Sequence, residues 1–167
     1  VIVDYDKVLR RGFRGVLSDA RRLLDTAPLD DGEGRAFLEG VIVAVEGIIR
    51  WAGRYADLAE AEAEGCDDPV RRAELSEIAD RCRRVPAEPA RTFAEALQSF
   101  WFTHVAMHIE QYGWSISAGR FDQYMLSFYE DDLASGALSD AQAWELLLSL
   151  CIKFMENFGT RVKETVF

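Results

Sequence analysis

The sequence predicts a mainly α-helical protein with few strands. Apolar residues recur every three or four positions through most of the chain, the spacing that places them on one face of a helix. The four prolines, which break helices, all fall between these stretches or at their starts. Alternation typical of a strand is confined to 114–117. These three observations divide the chain into helices joined by short links.

The first two helices are predicted from the N-terminal third. A short amphipathic helix follows Asp4 and ends near Gly12, and the same period then continues to about Pro28. A long helix is predicted from near Gly34 to Glu64. Three glycines inside it either weaken the helix or let a neighbouring helix approach closely: Gly40, Gly47 and Gly53.

The middle of the chain contains two further helices separated by a proline-rich link. Asp68 and Pro69 begin the third helix, because proline is favoured in the first turn, where its missing N–H costs no helical bond. Pro86 and Pro89 then predict an extended link. From about 92 to 110, apolar residues lie on most sides of the fourth helix, which indicates burial inside a large protein.

The C-terminal third combines one extended segment with two helices. The alternation at 114–117 predicts a short strand or an extended loop, and a helix follows from Asp122 to Leu133. Ser139, with Gln142 three residues later, forms a capping box that predicts the start of the last helix. That helix is also apolar on nearly all sides. Two such helices are hard to bury within 167 residues, so we expect the chain to be part of a larger protein.

The composition argues against several classes of protein. The net charge is −10, from 29 acidic and 19 basic side chains, which disfavours nucleic acid or an anionic membrane surface as a partner. We expect no signal peptide, because the start lacks a basic segment followed by an apolar run. We expect no membrane-spanning helix, because the apolar stretch 41–45 is far too short. The three cysteines are odd in number and lack CxxC spacing, so a reducing cytoplasm is expected instead of a disulfide framework or a zinc ribbon.

Two histidines and one cysteine are candidates for metal or thiol chemistry. His104 and His108 share a face of the fourth helix, with Glu110 nearby. Zinc requires three or four converging ligands, and a third is not well placed, so no metal site is predicted. Arginines on both sides of Cys82 can lower the pKa of its thiol. A buried structural thiol is the better interpretation, because free cysteines are mostly buried.

The segment 113–123 is the strongest candidate for a site. Small and polar residues crowd a link between two apolar helices, and buried polar groups need partners. Ser115 and Ser117 point to the same side if the link is extended, where they can hydrogen-bond a small polar ligand. The alternative is a structural polar network formed by Arg120, Asp122 and Gln123. Asp122 would then cap the following helix, and residue chemistry alone favours this alternative.

At this segment the chain also becomes similar to a known family. Four stretches, in their order and spacing, resemble the glycyl radical enzymes of the pyruvate formate-lyase superfamily: Arg91–Gln98, Trp101–Phe102, Ile109–Glu110 and Ser115–Gln123. The resemblance covers nearly the whole chain, so 1–167 is interpreted as one partial domain without an internal boundary. The stretch 114–120 is closer to the lyase and dehydratase branch than to pyruvate formate-lyase itself.

The resemblance implies that the chain is the helical, N-terminal side of a ten-stranded α/β barrel enzyme. Such enzymes carry a protein glycyl radical, installed by a separate iron–sulfur activase that uses S-adenosylmethionine. The radical generates a cysteine thiyl, which abstracts hydrogen from the substrate. By this resemblance the whole protein is a cytoplasmic homodimer that cleaves C–O, C–N or C–C bonds of a small polar metabolite.

The motifs that carry the radical chemistry in this family are absent from the chain. Its three cysteines are followed two residues later by Asp68, Arg84 and Lys153, where a Cys-x-Glu motif would have glutamate. Gly159 does not lie in an Arg-Val-x-Gly-Tyr element. No catalytic residue and no cofactor bound by this chain is therefore predicted, and we expect the chain to be inactive alone.

One functional assignment does carry over from the family. In some members a serine of the Ser-x-Ser-x-Gly-Arg-x-Asp-Gln segment contacts substrate, which corresponds to Ser115 or Ser117. The competing hypothesis is a stand-alone helical binding or scaffold domain without catalytic activity.

Overall fold

The computed structural model describes residues 3–110 and 116–162, with side chains described up to residue 156. Six helices cover most of these residues, and the prediction of a mainly helical chain is confirmed. The helices are α1 (Tyr5–Thr26), α2 (Gly32–Glu64), α3 (Pro69–Arg84), α4 (Phe93–Glu110), α5 (Phe121–Ser135) and α6 (Asp140–Val162). Within the described residues, extended pairing is limited to an isolated bridge at Ser117.

Helix α1 is bent at Gly12, where φ is 62° and ψ is 167°. The bend lets the link that follows α3 lie directly against the helix. The N–H of Phe13 donates to the Pro86 carbonyl at 2.8 Å, and the N–H of Arg14 donates to the Ala87 carbonyl at 2.9 Å. The predicted interruption near Gly12 is therefore real, and its cause is this contact with a distant segment.

Helices α2 and α3 pack against each other as a helical hairpin, and the start of α3 was predicted from Asp68 and Pro69. The Asp31 side chain accepts the N–H of Gly34, and the Asp68 side chain accepts the N–H of Val70 ahead of the first turn that Pro69 opens. Gly40, Gly47 and Gly53 do not serve close helix packing, because no atom lies within 4 Å of a Cβ built on any of the three. The alternative of a close helix approach is therefore wrong.

Helix α4 is the centre of the fold and contacts all five other helices. Its contacts with α1, α5 and α6 form the largest buried cluster. Phe93, Leu97 and Phe100 are buried in this cluster with Tyr5 of α1 and Met125 of α5. The predicted burial of this apolar helix is confirmed for these positions. Burying each large apolar side chain stabilises the fold by about 1.5–3 kcal/mol relative to exposure.

Two buried carboxylates fix the start of α4. The Asp132 carboxylate of α5 accepts the N–H of Phe93 at 2.7 Å, which satisfies a first-turn donor of α4. Glu95 is buried and accepts hydrogen bonds from the Arg91 N–H and from the Arg84 guanidinium. These bonds tie α3, α4 and α5 together at one end of the bundle.

Helices α5 and α6 are joined by a turn that ends α5 at Gly136, whose φ is 73°. The predicted capping box is present, since the Gln142 N–H donates to Ser139 Oγ at 3.3 Å and the Ser139 N–H donates to Gln142 Oε1 at 2.9 Å. One face of α6 packs against α4. The opposite face leaves large apolar side chains exposed: Trp144, Leu148, Ile152 and Met155.

An open, mainly apolar groove of about 710 Å³ lies between α2, α3, α4 and α6. Its walls include Tyr55 of α2, Leu75 of α3, Trp101 of α4 and Leu146 of α6. No helix in the described part of the chain is both long and apolar enough to cross a membrane.

Candidate functional site

The link between α4 and α5 holds Ser117 in a compact turn. Ser117 Oγ accepts the N–H of Gly119 at 3.0 Å, and Gly119 has a φ of 65°, in the left-handed region that favours glycine. One lone pair of the Ser117 oxygen is thereby used, while its O–H is free to donate. Ser117 is exposed, so in this chain the donor faces open space.

Tyr124, in the first turn of α5, fastens this turn to the protein core. Its hydroxyl donates to the Ala118 carbonyl at 2.7 Å. The Tyr124 ring lies 5.7 Å from Phe121, 5.9 Å from Tyr5 and 6.4 Å from Phe100, centroid to centroid. Because three rings surround it, the Tyr124 hydroxyl has a defined position from which to hold Ala118.

A buried hydrogen-bonded chain lies behind Tyr124. The Tyr5 hydroxyl is 2.8 Å from His104 Nδ1, and His104 Nε2 is 2.9 Å from His108 Nε2. Tyr5 is 1% exposed and His104 is 3% exposed. This series of hydrogen bonds therefore runs through the core from α1 to the last turn of α4, which leads into the segment that carries Ser117.

Burial keeps Tyr5 and His104 uncharged near neutral pH. Loss of solvation, together with the neighbouring His108, lowers the pKa of His104 to about 4. Loss of solvation raises the pKa of Tyr5 to about 12 and also raises the pKa of Tyr124. A neutral His104 has one N–H and one bare nitrogen, so it accepts from one neighbour and donates to the other.

The predicted polar residues after the turn lie at the surface. Arg120 Nε is 3.5 Å from Asp122 Oδ1, and the two side chains are 70% and 74% exposed. The Gln123 side chain is also exposed, while its N–H donates to the Arg120 carbonyl at 3.0 Å. Asp122 does not cap α5, because Arg120 occupies the N-cap position and no side chain bonds the helix end there. Ser115 lies outside the described residues.

The metal and thiol candidates take structural positions. Within 3–110 and 116–156, no three His, Cys, Asp or Glu side chains converge on a possible metal position. His104 is buried by aromatic rings, 5.5 Å from Phe100 and 5.0 Å from Phe154. Burial raises the pKa of the Cys82 thiol to about 11 although Arg81 acts in the opposite direction. The possibility of a lowered Cys82 pKa is therefore wrong, and the thiol is a core side chain.

The sequence patterns did not reveal the tyrosines of this site. Tyr5 is 99 residues from His104 along the chain, so their hydrogen bond leaves no local spacing to detect. Tyr124 follows directly after the candidate segment 113–123, and this adjacency was the available signal.

Comparison with known proteins gives the family of this helical unit. The pyruvate formate lyase-like family matches residues 1–165. This chain belongs to the pyruvate formate lyase-like family. The resemblance drawn from segments such as Ser115–Gln123 is thereby confirmed.

This chain is similar to several enzymes in sequence and to several solved structures in fold. The isethionate sulfite-lyase of Desulfovibrio desulfuricans is 46% identical in the matched region, which covers 97% of this chain and 20% of that enzyme. The glycerol-bound glycerol dehydratase of Clostridium butyricum superposes with a TM-score of 0.84 at 42% identity, over 90% of this chain and 19% of that one. A glycyl radical enzyme of Archaeoglobus fulgidus superposes with a TM-score of 0.84 at 39% identity, over 88% and 19%.

The pyruvate formate lyase-like chain thus spans about a fifth of the length of these relatives. Its six described helices correspond to a helical part of glycyl radical enzymes, as the sequence predicted. The radical and thiyl motifs of the family have no counterpart within the 167 residues.

Proposed function

We propose that this chain is the N-terminal-side part of a glycyl radical lyase or dehydratase, and that 1–167 forms one partial domain of it. The observation that carries the proposal is the close match, at 42% identity and a TM-score of 0.84, to a dehydratase that was solved with glycerol bound. The exposed O–H donor of Ser117, on the segment that resembles the family's substrate-contacting stretch, adds chemical support.

The proposed substrate is a small polar molecule that offers an oxygen acceptor to Ser117. Since the Ser117 oxygen already accepts the Gly119 N–H, its remaining strong capacity is donation. A hydroxyl, carboxylate or sulfonate oxygen suits such a donor. The bond cleaved is proposed to be of the C–O, C–N or C–C class, and similarity to isethionate sulfite-lyase adds C–S cleavage with release of sulfite to the reactions to be tested.

The chemistry of bond cleavage is assigned to groups outside this chain. The whole enzyme is proposed to carry a protein glycyl radical, installed by an S-adenosylmethionine-dependent iron–sulfur activase, and to act as a cytoplasmic homodimer. Three cysteines that are all free in this chain suit a reducing compartment. The role proposed for this chain is to bind and orient substrate through Ser117 or Ser115.

The direct test is electron paramagnetic resonance after anaerobic activation. The 167-residue chain, treated with the activase and S-adenosylmethionine, is expected to give no glycyl doublet and no turnover, because it lacks the radical and thiyl motifs. The whole protein encoded at the same locus is expected to give the doublet. A coding sequence beyond Phe167 without Cys-x-Glu and Arg-Val-x-Gly-Tyr would contradict the proposal, and a well-folded, inactive monomer would then favour a binding or scaffold domain.

Removing the serine hydroxyl tests the substrate-binding role. In the whole enzyme, Ser117→Ala or Ser115→Ala is expected to lower kcat/KM roughly threefold to more than tenfold, because one hydrogen bond to a neutral group contributes about 0.5–1.5 kcal/mol. Steady-state kinetics and melting curves are measured for each variant. Ser76→Ala is the matched control, since Ser76 Oγ bonds only the Arg72 carbonyl within α3. Unchanged kinetics in both site variants would remove the segment from the active site.

A further inference from the structure

Tyr124 links the Ser117 turn to the core through a single directed contact. The Tyr124 hydroxyl donates to the carbonyl of Ala118, which lies between Ser117 and Gly119 in the turn. The Ala118 carbonyl and the Gly119 N–H belong to one planar peptide unit, so a shift of this carbonyl also moves the N–H that Ser117 Oγ accepts. The hydroxyl of Tyr124 is thus placed to set the direction of the Ser117 side chain.

The ring of Tyr124 is itself held in place by the buried core. Tyr5 lies 5.9 Å from it, and Phe121 packs edge-on at 5.7 Å. Tyr5 in turn is fixed by its 2.8 Å hydrogen bond to His104. The Tyr124 hydroxyl is therefore fixed from the side of α1 and α4, and its position does not depend on the exposed turn that it holds.

We propose that Tyr124 is a positioning residue, whose hydroxyl orients the Ser117 O–H toward substrate by holding the Ala118 carbonyl. This inference rests on the proposed function of Ser117. It assigns to the phenol oxygen a role separate from the ring, because the ring supplies the packing and the oxygen supplies the bond to the turn. Tyr124→Phe removes the hydrogen bond to the turn and keeps the packing of the ring.

The first measurement concerns the turn itself and is independent of catalysis. Hydrogen–deuterium exchange is followed in the whole enzyme for peptides that cover 116–123. Tyr124→Phe is expected to accelerate exchange there about three- to tenfold, as loss of one hydrogen bond allows. Tyr129→Phe is the matched control, because Tyr129 donates from the same helix to Asp140 Oδ1 at 2.7 Å and does not touch the turn. Equal exchange in wild type and Tyr124→Phe would overturn the inference.

The second measurement separates positioning from a general loss of stability. In the whole enzyme, Tyr124→Phe is expected to raise KM for substrate about three- to tenfold with a smaller change in kcat. In the Ser117→Ala background the same change is expected to have no further effect on kcat/KM, since no hydroxyl is left to orient. A merely structural role would give the same fold-loss in both backgrounds, and that result would overturn the inference.

The two measurements distinguish failure of the inference from failure of the proposed function. If exchange accelerates but neither Tyr124→Phe nor Ser117→Ala changes KM or kcat, the substrate-binding role of Ser117 fails, and with it the role of Tyr124 toward substrate. If Ser117→Ala lowers kcat/KM while Tyr124→Phe leaves KM unchanged, the function of Ser117 stands and the positioning role of Tyr124 is excluded.

Discussion

Gly12→Ala is expected to destabilise the chain by about 4 kcal/mol, because strain and overlap each cost roughly 1–3 kcal/mol. Gly12 has a φ of 62° and a ψ of 167°, a region that is essentially restricted to glycine. A Cβ placed there would overlap the Ala87 carbonyl oxygen and lie 2.5 Å from the Glu88 carbonyl carbon. Both neighbours are backbone atoms, so no side-chain rotation can relieve the overlap.

The matched control for Gly12→Ala is the same substitution at Gly47. Gly47 is exposed within α2, and nothing lies within 4 Å of the added Cβ, so alanine there is expected to stabilise the chain by about 0.5–1 kcal/mol. Urea unfolding followed by circular dichroism gives both differences. A Gly12→Ala variant as stable as wild type would mean that α1 and the Pro86–Ala87 link do not pack as described.

The helices were predictable because their signals are local. Asp68 before Pro69 and Ser139 before Gln142 satisfy helix-end donors within three residues, and both pairs form the caps that the sequence predicts. The position of the proline-containing link was also predictable, because proline ends a helix. Its predicted extended form was wrong, since residues 85–87 form turns and residue 88 a bend. Periodicity then gave α2, α4 and α5 to within about two residues of their observed ends, while no end was predicted for α6.

Contacts between distant segments were not predictable from these patterns. The Asp132 carboxylate accepts the Phe93 N–H from 39 residues away, and Gly12 is required by the backbone at Ala87. No residue near Asp132 or Gly12 in the sequence indicates that these two residues contact distant segments. The sequence predicted an interruption near Gly12 but could not show that its cause is the backbone at Ala87. For Gly47 it could not decide between a weak helix position and a packing position.

The candidate site was half predictable. Ser117 stood out because two hydroxyls and several charged groups crowd a short link between apolar helices. The hydrogen bonds that hold this link come from Tyr124 and, behind it, from Tyr5 and His104, which converge only in the folded chain. Resemblance to a family located the segment, and the fold then supplied the groups that support it.

Lowering the pH from 6.5 to 4 is expected to remove about 3 kcal/mol of stability through His104 alone. The pKa of His104 is lowered from 6.5 to about 4 by burial and by His108, and a difference of one pKa unit corresponds to about 1.4 kcal/mol. Above pH 6.5 neither the folded nor the unfolded chain protonates this ring. Between pH 6.5 and 4 the unfolded chain binds a proton that the folded chain excludes, so unfolding becomes progressively easier.

The measurement is the free energy of unfolding in urea at several pH values from 7 to 4 for wild type and His104→Gln, in steps of about half a pH unit. Carboxylates elsewhere also titrate near pH 4, so the quantity of interest is the difference between the two proteins. We expect wild type to lose stability more steeply than His104→Gln as the pH falls.

Tyr5→Phe is the control, because it removes the 2.8 Å hydrogen bond to His104 but keeps the buried imidazole. That variant is expected to be less stable at every pH with the wild-type slope. Parallel curves for wild type and His104→Gln would show that His104 is solvated or already charged in the folded chain.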